Sequence, residues 1–181
     1  VIGISDAQPK IESITADLPT GEYGVGEEIV FVLTFDRDVV VDGTPELPLN
    51  IQICDTSTCT ARAATYVNGS GTNILTFNYT VLPGDDIDRL GISEDMGIEL
   101  QFPSSNDSIY LHVNSLEMSP VQVDASIVGF NLPPELHISI DTSPPAITSI
   151  VPQASTTQSG EYAVGDTLYF EVSFDKAVEV S

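Results

Sequence analysis

The stretch GEYGVGEEIVFVLTFDRDVVV at residues 21–41 decides the fold, because it returns as GEYAVGDTLYFEVSFDKAVEV at residues 160–180. The two stretches share ten identical residues in 21 positions, at an offset of 139. Upstream, PKIESI at 9–14 matches PPAITSI, with Pro9 aligned on Pro145 at an offset of 136. A repeat at this spacing predicts tandem domains, since the units of solenoid proteins run to about 20–50 residues.

Alternation of apolar and polar residues predicts half-buried β-strands in both copies. In the second copy, one strand face carries Leu168, Phe170, Val172 and Phe174. Transferred to the first copy, the same pattern assigns to the core Ile29, Phe31, Leu33 and Phe35. The stretch ILTFNYTV predicts a facing strand whose core residues are Leu75, Phe77, Tyr79 and Val81.

Turn signals separate these strands, among them VDGTP, VNGSGTN and LPGDD, and no window has sustained helical periodicity. The pattern predicts an all-β chain with an antiparallel immunoglobulin-like β-sandwich. We expect a linker from a preceding module at 1–8, a complete module at 9–140, a linker at 141–144, and the first strands of an incomplete second module at 145–181. Residues 97–133 exceed the usual module length and predict an additional hairpin or long loop.

Charge restricts the class of partner. Five Lys and Arg oppose 27 Asp and Glu, for a formal net charge of −22. A surface that binds phosphates needs clustered basic residues, so nucleic acid and anionic membranes are disfavoured as partners. No stretch approaches the roughly 20 apolar residues of a membrane span. The acidity is explained either by a solvated, self-repelling surface or by carboxylates that converge on divalent cations.

Cys54 and Cys59 are the two cysteines of the chain, and four residues separate them in ICDTSTCT. Turn-forming residues between two cysteines favour a disulfide that closes a hairpin, and a disulfide indicates an oxidising compartment. Free thiols are the alternative. Three Asn-x-Ser/Thr triplets, at Asn68, Asn78 and Asn106, are candidate glycosylation sites and agree with an extracellular address.

The ordered motifs GEYxVGxxIxFxxxFDxxVxVxGTPELPL, ATYVNGSGTNILTFNYTVLPGDD and IDTSPPAI resemble the Ig-like repeats of very large extracellular surface proteins. Such repeats are found in bacterial adhesins and in archaeal and algal surface proteins. The resemblance implies β-sandwich modules that are strung into rods, with binding or anchoring functions elsewhere in the chain. It names no ligand, because proteins of one fold differ in function.

Carboxylates in turns are the candidate metal ligands. GDDIDRLG brings Asp85, Asp86 and Asp88 into one turn, where a calcium ion would offset their mutual repulsion, although the spacing does not fit an EF-hand. Further candidates for calcium are Asp6 and Asp141 near the module junctions, and Asp36 and Asp38, which we place at a strand end where they could point towards a linker. Each of these could instead cap a turn by accepting hydrogen bonds from backbone N–H groups. The GEYxVG motif predicts that Tyr23 packs at the sandwich end with its hydroxyl on a backbone group.

The chain has no phosphate-binding glycine loop, no GxSxG and no HExxH, and nothing in its order brings His112 or His137 to a nucleophile. We therefore predict no catalytic residues and no cofactor other than calcium. The expected function is a structural or adhesive spacer in a tandem-repeat protein at the cell surface, with neighbouring modules or other copies as partners. Two alternatives stay open. One is a subunit of a self-assembling filament, flagellar hair or surface layer, and the other is a module that binds a glycan or a cell-surface protein.

Overall fold

A computed structural model describes residues 8–54, 58–92, 100–111, 122–127, 130–152, 162–178 and 180. These residues form eleven strands and no helix, which confirms the all-β prediction. The chain divides into two compact units, Val1–Thr142 and Ser143–Ser181. The strands of the first unit are β1 (Ile11–Ala16), β2 (Gly21–Tyr23), β3 (Glu28–Asp42), β4 (Glu46–Cys54), β5 (Cys59–Asn68), β6 (Thr72–Thr80), β7 (Asp86–Ile87), β8 (Ser108–Leu111) and β9 (Ile138–Asp141). Those of the second are β10 (Ile147–Pro152) and β11 (Phe170–Phe174).

The main sheet of the first unit is antiparallel and curls into a half-barrel. Its strand order is β1-β3-β6-β5-β4, and β8 adds to the distal half of β3. The central pair, β3 and β6, aligns Phe31 with Phe77 and Leu33 with Leu75. Apolar residues therefore meet across the sheet on the same face, as period-two alternation requires.

A second sheet of three strands has the order β2-β9-β7. Here β2 runs parallel to β9, with Gly21 opposite Ile138, so the expectation of a purely antiparallel fold is wrong at this pair. The reason is the path of the chain, which leaves the main sheet after β1 and joins the second sheet alongside the strand that ends the unit. Ile138 and Ile140 of β9 are fully buried and belong to the same core as the main sheet.

The core confirms the alternation read from the sequence. All eight residues assigned to it from β3 and from the 74–81 stretch are at most 5% exposed. Burying one such side chain contributes roughly 1.5–3 kcal/mol relative to leaving it in water. The expected contact of Tyr23 is also present, since its hydroxyl donates to the carbonyl of Pro19 at 2.8 Å.

The segment that carries Asp36 and Asp38 is not at a strand end, which corrects the sequence-based placement of these residues. Both lie inside the 15-residue β3, where the pairing with β6 shifts register between Thr34 and Val39. From Val39 onward β3 also pairs with β8. The two aspartates lie at this register shift, between the part of β3 that pairs with β6 alone and the part that also pairs with β8. The strand therefore continues past them.

The second unit, taken by itself, repeats the pairing of β1 with β3. Ile147 lies opposite Phe174, and after a register shift Pro152 lies opposite Phe170. In the first unit, Ile11 lies opposite Phe35, and after the same register shift Ala16 lies opposite Phe31. These pairs match at the offsets of 136 and 139 that align the two sequence copies.

Candidate functional site

The turn after β6 holds the carboxylates predicted to bind calcium. Gly84 has φ of 89°, a left-handed conformation that glycine adopts without strain, and the N–H of Asp85 donates to Leu82 at 3.1 Å. The turn therefore reverses tightly and directs Asp85 back into the unit. Asp85 is fully buried, whereas Asp86 and Asp88 are exposed.

Three protein donors surround the carboxylate of Asp85. Arg62 of β5 donates through Nε at 2.9 Å, and the backbone N–H of Leu82 donates at 2.8 Å. The hydroxyl of Tyr79, at the end of β6, donates to the same oxygen as Leu82. A buried carboxylate without partners costs several kcal/mol, so this ion pair and its hydrogen bonds are what allow the charge to be buried.

Electrostatics in this cluster follow from burial and from the carboxylate. The hydrogen bond to Asp85 raises the pKa of the Arg62 guanidinium above its usual value. Burial, followed by the hydrogen bond to Asp85, raises the pKa of the Tyr79 hydroxyl above its ordinary value of 10.0. Arg62 therefore stays charged and Tyr79 stays protonated, and both continue to donate to Asp85.

The same turn is fastened to the residue after β9. The hydroxyl of Thr142 donates to the carbonyl of Asp85 at 2.8 Å and accepts from the N–H of Gly84 at 3.0 Å. Thr142 is the last residue of the first unit. The cluster thus ties β5, β6 and the end of the unit together through polar contacts.

Two of the predicted calcium ligands meet across the second sheet. Asp86 of β7 lies directly opposite Asp141, which is the last residue of β9 and not part of a linker as its sequence suggested. Like charges that face each other in this way oppose pairing. No group of three or more His, Cys, Asp or Glu within the described residues is arranged to hold a metal ion. Calcium binding stays a prediction.

The Asp36 carboxylate accepts a backbone hydrogen bond, as in the capping alternative. Its Oδ1 accepts from the N–H of Lys10 at 2.9 Å, and its own N–H donates to the carbonyl of Lys10 at 2.9 Å. Asp175 accepts from the N–H of Ala146 at 2.8 Å and donates back at 3.1 Å. The hydrogen bond from the Lys10 N–H, together with the hydrogen bond and the charge of Arg37, holds the pKa of Asp36 below its usual value. Asp38 is exposed, and Asp6 lies outside the described residues.

Cys54 and Cys59 form a disulfide at the ends of β4 and β5, where they lie opposite each other with Cα atoms 4.0 Å apart. A disulfide indicates an oxidising compartment outside the cytoplasm. Among the described residues there is no helix with the length and hydropathy needed to span a membrane.

The candidate glycosylation sites differ in their surroundings. Asn68, at the end of β5, and Asn106, in a loop, are exposed. Asn78, in the middle of β6, is half-buried, and its Oδ1 is enclosed without a hydrogen-bond partner. The geometry therefore favours Asn68 and Asn106 over Asn78 as carriers of a glycan.

A cavity of about 490 Å³ lies in the first unit beside the segment 102–109, inside the region whose role the sequence did not reveal. Its lining includes serine hydroxyls, amides and carboxylates. The lining residues are Gln8, Phe102, Ser104, Ser105, Asp107, Ser108, Ile109, Gln122, Val123, Asp124 and Ala125. The lining is mostly polar, and Phe102 is its one aromatic residue.

Sequence reasoning missed the partners of Asp85. Arg62 is one of only five basic residues, and it lies between two alanines in β5, which is a weak signal of a special role. Tyr79 was assigned to the core correctly, but its hydroxyl contact depends on the turn geometry. His137 is exposed just before β9, and His112 is outside the described residues.

No protein-family model, curated protein or solved structure matches this chain.

Proposed function

We propose that this chain is a structural spacer in an extracellular protein built from tandem immunoglobulin-like modules. The observation that carries the proposal is the recurrence of one antiparallel strand pair in two units, as β1–β3 and as β10–β11. The β10–β11 pair reproduces the register of β1–β3, including the shift after the first residue pair. A chain that repeats a structural unit at a fixed offset is typical of modular arrays.

Smaller features next to this strand pair also occur in both units. The aspartate cap of Asp36 on Lys10 returns as Asp175 on Ala146. In the turn before the strand, Glu27 accepts from the N–H of Gly24 at 2.6 Å. Asp166 accepts from the N–H of Ala163 at 2.7 Å in the corresponding turn. Positive φ follows at corresponding glycines, with values of 86° and 103°. The agreement of caps, turns and register supports two copies of one module type.

The strand order of the first unit supports the immunoglobulin-like assignment. In immunoglobulin domains one sheet has the order ABED, and the strands F and G belong to the other. The order β1-β3-β6-β5 is similar to ABED, and β7 and β9 are similar to F and G, whereas β4, which follows B in chain order as strand C does, joins the first sheet and so departs from the immunoglobulin pattern. The strand β4 extends the first sheet at its far edge, and both sheets share one core.

Three further observations support the extracellular part of the proposal. The disulfide requires an oxidising compartment. Two sequons lie on exposed residues, Asn68 and Asn106. The net charge of −22 keeps separate copies apart, which suits a spacer that holds distance without aggregating. The proposed role is mechanical and not enzymatic. The packed and hydrogen-bonded strands keep the module from unfolding when the protein is pulled.

Mechanical unfolding tests the spacer function. We would join residues 37–142 directly after Asp175, so that the β10–β11 pair is followed by the same strands that follow the β1–β3 pair. Single-molecule extension should then show two similar unfolding events, each releasing about 130 residues or roughly 450 Å at 3.3–3.6 Å per residue. The protein should stay monomeric in sedimentation. A single event, or polymers under native conditions, would contradict the spacer and in the second case favour a filament subunit.

The cavity beside Phe102 favours a second candidate function, the binding of a glycan through the loops. Its hydroxyl, amide and carboxylate groups can bond sugar hydroxyls, and the ring offers an apolar face. A glycan array tests this with the native chain and the variant Phe102→Ala. Binding that is lost in this variant, but kept when exposed Val25 is changed to alanine, would support it. No binding by the native chain would remove it.

A further inference from the structure

The second unit presents an apolar sheet face that the first unit keeps covered. Phe31 and Leu33 of β3 are 0% exposed, whereas their counterparts Phe170 and Val172 of β11 are 56% and 42% exposed. Ile147 and Ile150 of β10 are also exposed, while the matching residues of β1 are buried. Corresponding apolar side chains in the same register are thus covered in one unit and exposed in the other.

The first unit shows what covers this face. On the side of β3 away from β1 lies β6, which pairs antiparallel and places Phe77 opposite Phe31 and Leu75 opposite Leu33. In the second unit β11 pairs with β10 on one side, and no strand pairs with its other side among the described residues. A strand edge with an apolar face is a template for the addition of another strand.

We propose that β11 is an acceptor site for one further antiparallel strand of the β6 type, carried by the same polypeptide, which binds in the register in which β6 pairs with β3. This inference rests on the proposed tandem repetition and adds the site, the orientation and the register. The incoming strand places large apolar residues opposite Phe170 and Val172. Neutral residues alternate with them, as Thr76 and Asn78 do in β6.

Charge at the acceptor specifies the strand further. Position 32 of the first unit, which faces Thr76, is Val32, and its counterpart in the second unit is Glu171. An acidic residue directly opposite Glu171 opposes pairing and a basic one favours it. If the incoming strand binds in the register of β6, its residue at the position of Thr76 lies opposite Glu171, and the charge of that residue should change the affinity.

Charge also favours a strand of the same polypeptide over a second copy. Each copy carries a net charge of −22, so association between copies is opposed by repulsion, most strongly at low salt. A tethered strand avoids this cost because its effective concentration reaches the millimolar range. The occupant of the site is thus a strand tethered in cis, and dimerisation through the face is the competing outcome.

A synthetic peptide of residues 72–81, TNILTFNYTV, probes the site on the whole 181-residue chain. We expect saturable binding by fluorescence anisotropy, and protection of the β11 amides in hydrogen exchange. The matched control peptide carries Leu75→Ser and Phe77→Ser and should bind at least tenfold more weakly. The acceptor variant Val172→Ser should weaken the native peptide to a similar degree. It keeps the first unit intact, because Val172 belongs to the second unit.

Peptides that are substituted at Thr76, the position expected to lie opposite Glu171, test the register. A Thr76→Lys peptide should bind about two- to fivefold more tightly than the native peptide, and a Thr76→Glu peptide more weakly by a similar factor. Both preferences should vanish in the chain variant Glu171→Gln. Equal binding of the two peptides to the native chain would overturn the proposed register.

A tethered version gives a second measurement that does not depend on peptide solubility. Residues 72–81 are joined to the end of the chain through a flexible Gly/Ser linker, and hydrogen exchange of β11 is compared with a linker that carries the serine control. Equal protection overturns the acceptor site. A dimer of the native chain that Val172→Ser dissociates would also overturn it, in favour of a second copy. If the completed module gives two unfolding events while the β11 amides in it stay unprotected in hydrogen exchange, the spacer function stands and the acceptor inference alone is lost.

Discussion

Replacing Asp85 with alanine should destabilise the first unit strongly, because it removes the acceptor that three donors share. Asp85 is 0% exposed, and it accepts from Arg62, Tyr79 and Leu82. Its carboxylate organises the turn between β6 and β7. The substitution leaves the buried Tyr79 hydroxyl without its acceptor, and it removes the acceptor of the Leu82 N–H at a partly exposed position.

The expected magnitude follows from these contacts. An unsatisfied buried donor costs about 1–3 kcal/mol, which is the cost expected at the Tyr79 hydroxyl, and the Leu82 N–H adds less because Leu82 is 41% exposed. Arg62 adds less, since 21% of its side chain is exposed and water can solvate it. Breaking a fully buried ion pair by removing one partner costs about 3–5 kcal/mol, which is an upper bound here because the remaining partner, Arg62, is partly exposed. For a loss of about 2–3 kcal/mol and a urea m-value of about 2 kcal/mol/M, the unfolding midpoint should fall by roughly 1–1.5 M.

Urea unfolding followed by far-UV circular dichroism measures this change. The matched control is Asp88→Ala, an exposed aspartate three residues further along the same turn, which should change stability by less than about 0.5 kcal/mol. The double variant with Arg62→Ala should show coupling, because removing the carboxylate has already removed the partner of Arg62. A loss below about 1 kcal/mol for Asp85→Ala, or one equal to that of the control, would refute the structural role assigned to this cluster.

The other predictions concern pH, the disulfide, glycosylation and calcium. Since folding raises the pKa of Tyr79 above 10.0, its contribution is complete below pH 10 and is lost as the pH rises further, so the urea midpoint should fall above pH 10. Tyr79→Phe should flatten that fall, and an equal slope in the variant would contradict the assignment. Changing Cys54 and Cys59 to serine should cost about 2 kcal/mol and make stability insensitive to reductant; continued sensitivity would argue against this bond as the cause. In a secreting eukaryotic host, peptide mass spectrometry should find a glycan on Asn68 and none on Asn78, and an occupied Asn78 would show that its enclosure does not matter. The calcium hypothesis predicts a lower melting temperature in chelator, and an unchanged melting temperature removes it.

Alternation predicted the core because burial on one face of a strand is a local property with a period of two. Phe31, Leu33 and Phe77 are all fully buried as expected. The repeat also predicted that the second copy forms the same strand, since similar sequences with the same turn signals have the same local preferences. Phe170 is paired in the register of Phe31, although its environment differs.

The candidate site was predicted less well. GDDIDRLG was interpreted as three equivalent carboxylates, but the turn sends Asp85 inward and leaves Asp86 and Asp88 outside. Asp36 had been placed at a strand end, and it lies inside β3. In each case one contact comes from a residue more than 20 positions away, Arg62 for Asp85 and Lys10 for Asp36. Spacing along the chain carries no information about such partners.

By itself, the sequence determined the all-β class, the buried faces of the central strands, the disulfide candidates and the duplication of one strand pair. Each of these depends on residues that are close along the chain or on direct comparison of two stretches. Only the tertiary structure decided that Arg62, Tyr79, Asp85 and Thr142 meet, that β2 joins β9 in parallel, and that one apolar face is covered while its copy is exposed. These outcomes depend on which strands become neighbours, and that choice is set by how the whole set of apolar faces can be buried together.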